Sequence, residues 1–143
     1  KKNSKKGFTL VELVVVIAIL AILAAIAIPV VSSTIASSQR STALSDAQTL
    51  ELALKEAHAQ IVAKDTSVYT DAATVADVIS EKSLQSIHVG DTRTIGGDTY
   101  TLSWCAADDK CYWMNGTTNL DSSITPGGTT VAIATGDVVS TLF

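Results

Sequence analysis

The chain has 143 residues, 47% of them hydrophobic, enough for one domain with a modest core. Its formal net charge is −4, but four of the ten basic residues (Lys1, Lys2, Lys5 and Lys6) precede Gly7, while all fourteen acids follow it. A product beginning at Phe8 keeps six basic residues against fourteen acids, and no basic stripe with interleaved aromatics occurs; no direct nucleic-acid site is evident.

Residues 1–7 are Lys-rich, residues 8–28 are apolar apart from Thr9 and Glu12, and Pro29 follows. From Leu13 to Ile28 all sixteen residues are Leu, Val, Ile or Ala. As a helix, residues 8–28 span about 31 Å, close to the hydrocarbon thickness of a bilayer. The Lys cluster holds the N-terminal side in the cytoplasm and puts the polar remainder outside it.

One residue resists that description. Glu12 stands inside the apolar stretch, where an acid weakens insertion by ~2–3 kcal/mol near the centre and by less near the edge. An ordinary secretory signal, cut after Ala24-Ala25-Ile26-Ala27, which imitates a cleavage site, leaves Glu12 unexplained, and so does a plain signal anchor. A cut between Gly7 and Phe8 gives it a purpose. The new amine at Phe8, most usefully a neighbouring subunit's, neutralises the carboxylate, and arrangements that leave either charge alone are penalised.

Lys5-Lys6-Gly7-Phe8-Thr9-Leu10-Val11-Glu12, the apolar helix behind it and Pro29 resemble the class III signal of type IV pilins and pseudopilins. The resemblance covers residues 5–30 closely and the following helix loosely. It implies cleavage after Gly7 by a prepilin peptidase and N-methylation of Phe8 by the same enzyme. It also implies a requirement for Glu12 in subunit addition, and it matches Pro29 to the family's helix proline. The implied partners are further copies of the chain in a helical polymer, the peptidase, an assembly ATPase with membrane platform proteins, and minor pilins. The implied location is the cell membrane for the precursor and an extracellular filament afterwards. No cofactor is implied. A pseudopilin of a secretion or DNA-uptake system and a membrane-anchored binding module that never polymerises are the alternatives.

Pro29 removes one helical hydrogen bond, so a kink or loosening is expected around Leu23–Ile28. Beyond it, Ala43, Ala47, Leu50, Leu54, Ala57 and Ile61 recur at spacings of three and four, one face of a helix reaching about Ala63. Glu51 and Lys55 form a favourable i,i+4 pair. In the connection from Lys64 to Gly90, Asp71 is expected to cap a short helix over 72–83, with Val75, Val78, Ile79 and Leu84 as apolar contacts. Tyr100, Leu102 and Trp104 then alternate with Thr101 and Ser103, a half-buried strand. Gly96-Gly97 marks a turn before it, and Ala106-Ala107-Asp108-Asp109 one after it. Lys110–Met114 returns, and Asn115-Gly116 turns again. Pro126-Gly127-Gly128 marks another reversal, Val131 and Ile133 another strand, and Val138, Val139 and Leu142 a last edge.

The expected fold is α+β: a long N-terminal helix, hydrophobic then amphipathic, packed on an antiparallel sheet of three to five strands, with a short helix in the connection. The expected divisions are a leader (1–7), a membrane or filament-core helix (8–30) and a head (31–143).

Cys105 and Cys111 flank the hairpin turn, and they sit opposite each other if five residues form the loop. Outside the cytoplasm the C-x5-C spacing reads as a small-loop disulfide worth ~2 kcal/mol, with two half-buried free thiols as the alternative. It is not a zinc pattern. For catalysis the sequence offers little. His58 and His88 have no nucleophile at a useful spacing, and no phosphate loop, G-x-S-x-G or H-E-x-x-H occurs. Asp108-Asp109 reads as a solvated turn before it reads as a calcium site. Asn115-Gly116-Thr117 is a weak glycosylation sequon, and Tyr100, Trp104, Tyr112 and Trp113 read as core before ligand face.

Overall fold

The structure is a computed structural model that describes Gly7 and residues 9–143; the expected leader residues 1–6 and Phe8 lie outside the described residues. The chain divides into two compact units, one ending at Ser37 and one running from Ser38 to Phe143. Helix α1 (Leu10–Val62) contributes to both.

In the first unit α1 is purely Leu, Ile, Val and Ala from Leu13 to Ile28, and no side chain of its most apolar stretch is buried. The large apolar residues from Leu10 to Ile35 are each 49–77% exposed. Pro29 lies inside the helix, which continues through it. Just beyond, Ser33 Oγ and Thr34 Oγ1 both donate to the Val30 carbonyl at 2.9 Å, the back-bonding habit of helical hydroxyls.

In the second unit α1 becomes amphipathic. Ala43, Ala47, Leu50, Ala53, Leu54, Ala57 and Ile61 are buried, the expected stripe with Ala53 added. The helix ends where Lys64 takes a left-handed conformation (φ 58°) and the Asp65 N–H reaches back to the Gln60 carbonyl at 3.0 Å, a Schellman closure. The stripe packs under an antiparallel sheet of β1 (Thr92–Ile95), β2 (Asp98–Cys105), β3 (Lys110–Asn115), β4 (Thr118–Asn119) and β5 (Thr130–Ala132). β2 is central. It pairs with β3 on one side; on the other, β1 covers residues 98–101 and β5 covers residues 103–105. Tyr100, Leu102 and Trp104 face the helix as their alternation required, joined by Trp113, Ile87, Leu120, Ile133 and Val139. Trp113 Nε1 donates to the Ala43 carbonyl at 2.7 Å, tying sheet to helix.

The sheet's other face also carries a small core. Cys105, Tyr112 and Met114 are buried there, and a Cβ placed on Gly128 would lie 3.8 Å from the Cys105 Sγ. The later half of β2 is therefore buried on both sides, unlike its start.

Several sequence expectations need correction. The short helix α2 is Val75–Glu81, and its cap is Thr74, not Asp71. Thr74 accepts from the Asp77 N–H, while the Asp77 carboxylate accepts from the Thr74 N–H at 2.7 Å, a capping box that starts the helix later. Gly96-Gly97 is a turn before β2 as expected, and a further strand, β1, precedes it, so the pair is the two-residue turn of a β1–β2 hairpin. Both glycines have positive φ (60° and 91°), as a type I′ turn needs. Asn115 is the last residue of β3, and the turn that follows is Gly116-Thr117. Val138–Leu142 is not a strand. Val138 makes one isolated bridge to Thr74, and Val139–Thr141 is a 3-10 turn.

Candidate functional site

The N-terminal start of α1 is built by two residues. The Thr9 carbonyl accepts the Leu13 N–H at 3.3 Å, a first helical bond. Its hydroxyl Oγ1 accepts the Glu12 N–H at 3.2 Å, and the Glu12 carboxylate accepts the Thr9 N–H at 3.1 Å. This is a reciprocal capping box with Thr9 at the N-cap and Glu12 at the third helical position. It satisfies two of the donors that a helix start leaves unpaired, and such caps are worth ~1 kcal/mol. The Glu12 carboxylate, negative at the positive end of the helix dipole, is placed favourably. Glu12 is thus occupied within its own chain before any second chain is considered. The signal for it is local: Thr9-x-x-Glu12 directly before an apolar run is a capping-box pattern, which the charge of Glu12 taken alone does not reveal.

Gly7 is exposed and outside the helix, and a Cβ placed on it would meet nothing within 4 Å. The other expected cleavage residue, Phe8, is outside the described residues. Pro29 lies in the exposed apolar half of α1.

In the head, the structure separates the two cysteines that spacing seemed to bring together. The hairpin loop has four residues, not five, so Cys105 pairs with Lys110 and Cys111 pairs with Trp104. That one-residue offset puts the thiols on opposite faces of the sheet. Cys111 sits in the core under α1 and Cys105 in the small core on the far side, and both are free thiols. Burial, aided by the nearby Glu51 carboxylate, pushes the Cys111 thiol far above its ordinary pKa. The expected disulfide is therefore not formed.

Other polar groups fasten the head. Glu51 Oε1 accepts the Cys111 N–H at 3.2 Å, so a side chain from α1 occupies part of the free edge of β3. Arg93 pairs with Asp46 at 2.9 Å and lies 4.9 Å from the ring centroid of Trp113. The Asp108 carboxylate accepts the Gly127 N–H at 2.7 Å and the Tyr112 hydroxyl at 2.9 Å. Those bonds, the Gly127 one first, hold its pKa below the ordinary carboxylate value. Desolvation, and then the bond to Asp108, push Tyr112 up to about 12. His58 on α1 stacks on Phe143 (centroids 4.1 Å apart, 12° between planes), and Phe143 also leans on Trp104 at 4.7 Å. These contacts are structural. Among the described residues no three His, Cys, Asp or Glu side chains are grouped to hold a metal ion.

A shallow cleft of about 150 Å³ lies between the middle of α1 and β3, lined by residues that include Glu51, Lys110, Tyr112 and Asp121. With Glu51 engaged by the Cys111 N–H, its carboxylate is a sheet-edge acceptor. The arrangement that stands apart chemically is the N-terminal one, an exposed apolar helix that opens with a capped acid.

No curated protein and no solved structure matches the chain. Residues 2–28 match the family model described as the prokaryotic N-terminal methylation motif, so the chain carries at its N-terminus the class III signal typical of type IV pilins and pseudopilins.

Proposed function

We propose that this protein is a structural subunit of a type IV pilus filament. The precursor enters the membrane with its Lys cluster on the cytoplasmic side. A prepilin peptidase cuts after Gly7 and methylates the new amine of Phe8. An ATPase-driven assembly machine with its membrane platform then lifts the subunit out of the bilayer, and apolar helices bundle at the filament centre with the acidic heads outward. Minor pilins join the same assembly. Chains with this motif are typically structural and not enzymes.

The observation that carries this reading is the pairing of an unburied apolar helix with a single acid near its start. Moving such a helix from lipid to protein exchanges one apolar environment for another, so the net gain per subunit is modest and close packing through small residues matters. Ala18, Ala21, Ala24, Ala25 and Ala27 supply that in the apolar half. Glu12 adds direction, because a neighbouring subunit's Phe8 amine is attracted only in the arrangement that brings the two together. Pro29 leaves the Ala25 carbonyl without its helical donor and gives the apolar half a weak point at which to bend during packing.

The test is Glu12→Ala in cells that assemble the wild-type chain. Membrane insertion is retained and filaments are lost in negative-stain images of sheared material. An equal filament yield overturns this role for Glu12.

A further inference from the structure

Thr9 is the second residue after the proposed scissile bond, and α1 begins immediately after it. We infer that Thr9 is a positioning residue for processing: its capping box with Glu12 fixes the start of α1 and keeps the Gly7–Phe8 bond ahead of the helix, where a peptidase can engage it. This inference rests on the proposed cleavage after Gly7.

A helix start that loses its cap loses the acceptors that held its first N–H groups. The first turn has N–H groups without helical partners. In water such a turn can simply fray. Next to a bilayer, fraying exposes backbone donors to hydrocarbon, and that is strongly disfavoured. The cheaper response is to extend the helix toward the N-terminus until its unpaired N–H groups reach the aqueous side. The residues upstream do little to resist, because Phe8 and the Lys residues all tolerate a helix and Gly7 alone opposes one. Extension would draw the Gly7–Phe8 peptide into hydrogen-bonded backbone, and proteolysis favours exposed segments free of such bonding. Thr9 stops that extension. Its hydroxyl and N–H are both engaged by Glu12, its carbonyl already accepts from Leu13, and Gly7 remains exposed outside the helix.

Two jobs of Glu12 then separate. Capping needs only an acceptor at the third helical position, which Gln also supplies. Pairing with an amine needs the negative charge.

The experiment uses the full-length precursor co-reconstituted in liposomes with a prepilin peptidase, following the cleaved fraction with time. Thr9→Ser and Thr9→Asn, both good N-caps, are expected to be cut at close to the wild-type rate. Thr9→Ala and Thr9→Val are expected to be cut about fivefold more slowly, the factor that corresponds to ~1 kcal/mol of lost capping. Val keeps the shape of Thr without the hydroxyl, so slow cleavage of Thr9→Val points to the hydrogen bond and not to fit in the enzyme. Glu12→Gln is expected to be cut normally and yet to give no filaments. Hydrogen exchange on the precursor without peptidase gives a readout independent of the enzyme: in Thr9→Ala, amide protection spreads upstream to Phe8 and Gly7. Wild-type cleavage rates for both Thr9→Ala and Thr9→Val, or protection that does not move, overturn the inference while leaving cleavage after Gly7 intact. A wild-type chain that is not cut after Gly7 overturns both.

Discussion

Asp108 holds Gly127 across nineteen residues of chain: its carboxylate accepts the Gly127 N–H at 2.7 Å and, from the same oxygen, the Tyr112 hydroxyl at 2.9 Å. This one side chain pins the Pro126-Gly127-Gly128 reversal over the outer face of the sheet, where Cys105, Tyr112 and Met114 are buried. The loop has no room to spare. A Cβ at Gly127 would overlap Asp108 Oδ1, and one at Gly128 would come within 2.8 Å of the Ala107 Cβ. Gly127→Ala should therefore destabilise the head by about 1–3 kcal/mol, as overpacking does. Urea unfolding followed by tryptophan fluorescence measures it, and Gly136→Ala, with open space around it, is the control.

The same latch gives the head an acid limb. The native pKa of Asp108 is depressed, first by the Gly127 N–H and then by the Tyr112 hydroxyl. Its contribution is in place above the ordinary carboxylate pKa and is lost as pH falls through the lowered value. Asp108→Asn should flatten the acid side of a stability–pH profile and lower stability at neutral pH. Tyr112 acts at the other end. Its pKa is raised to about 12, so its contribution is present below the ordinary value of 10.0 and is lost as pH rises toward 12. Tyr112→Phe should remove that alkaline decline. Thermal midpoints recorded across the pH range for the three chains check both signs.

The thiols offer a sharper comparison with the sequence. With Cys105 and Cys111 buried on opposite faces, neither should react with iodoacetamide in the native protein, and both should react in denaturant. Reducing agent should leave the unfolding midpoint unchanged. Intact-mass measurement before and after alkylation decides the first point, and a melt with and without reductant the second.

Phe143 fills the space between His58 and Trp104. Its ring is only partly buried, so Phe143→Ala should cost about 1–2 kcal/mol, less than a fully buried Phe. Tryptophan emission should shift to the red as Trp104 gains solvent.

The sequence shows clearly whatever repeats. The 3.6-residue stripe from Ala43 to Ile61 and the alternation Tyr100-Leu102-Trp104 identify the helix and central strand, and their buried faces are those of the structure. Local capping is legible too: Thr9-x-x-Glu12 and Thr74-x-x-Asp77 both carry the pattern of a reciprocal box, and at the second such a box outcompetes a lone Asp such as Asp71. Register was the harder quantity. Whether the hairpin loop holds four residues or five cannot be read from Ala106–Asp109, and that single residue decides whether two cysteines meet or part. Long-range fastenings had no local signal at all. Nothing near Asp108 in the sequence points to Gly127, and nothing near Glu51 points to the Cys111 N–H.

The central claim is that the chain is cut after Gly7 to create the amine that Glu12 later neutralises. N-terminal mass spectrometry of the protein isolated from its native cells tests it most directly. The account predicts a mature chain that begins at Phe8 and carries one added methyl group on its amine. A mature chain that still begins with the Lys cluster, or that starts beyond Pro29, would contradict it.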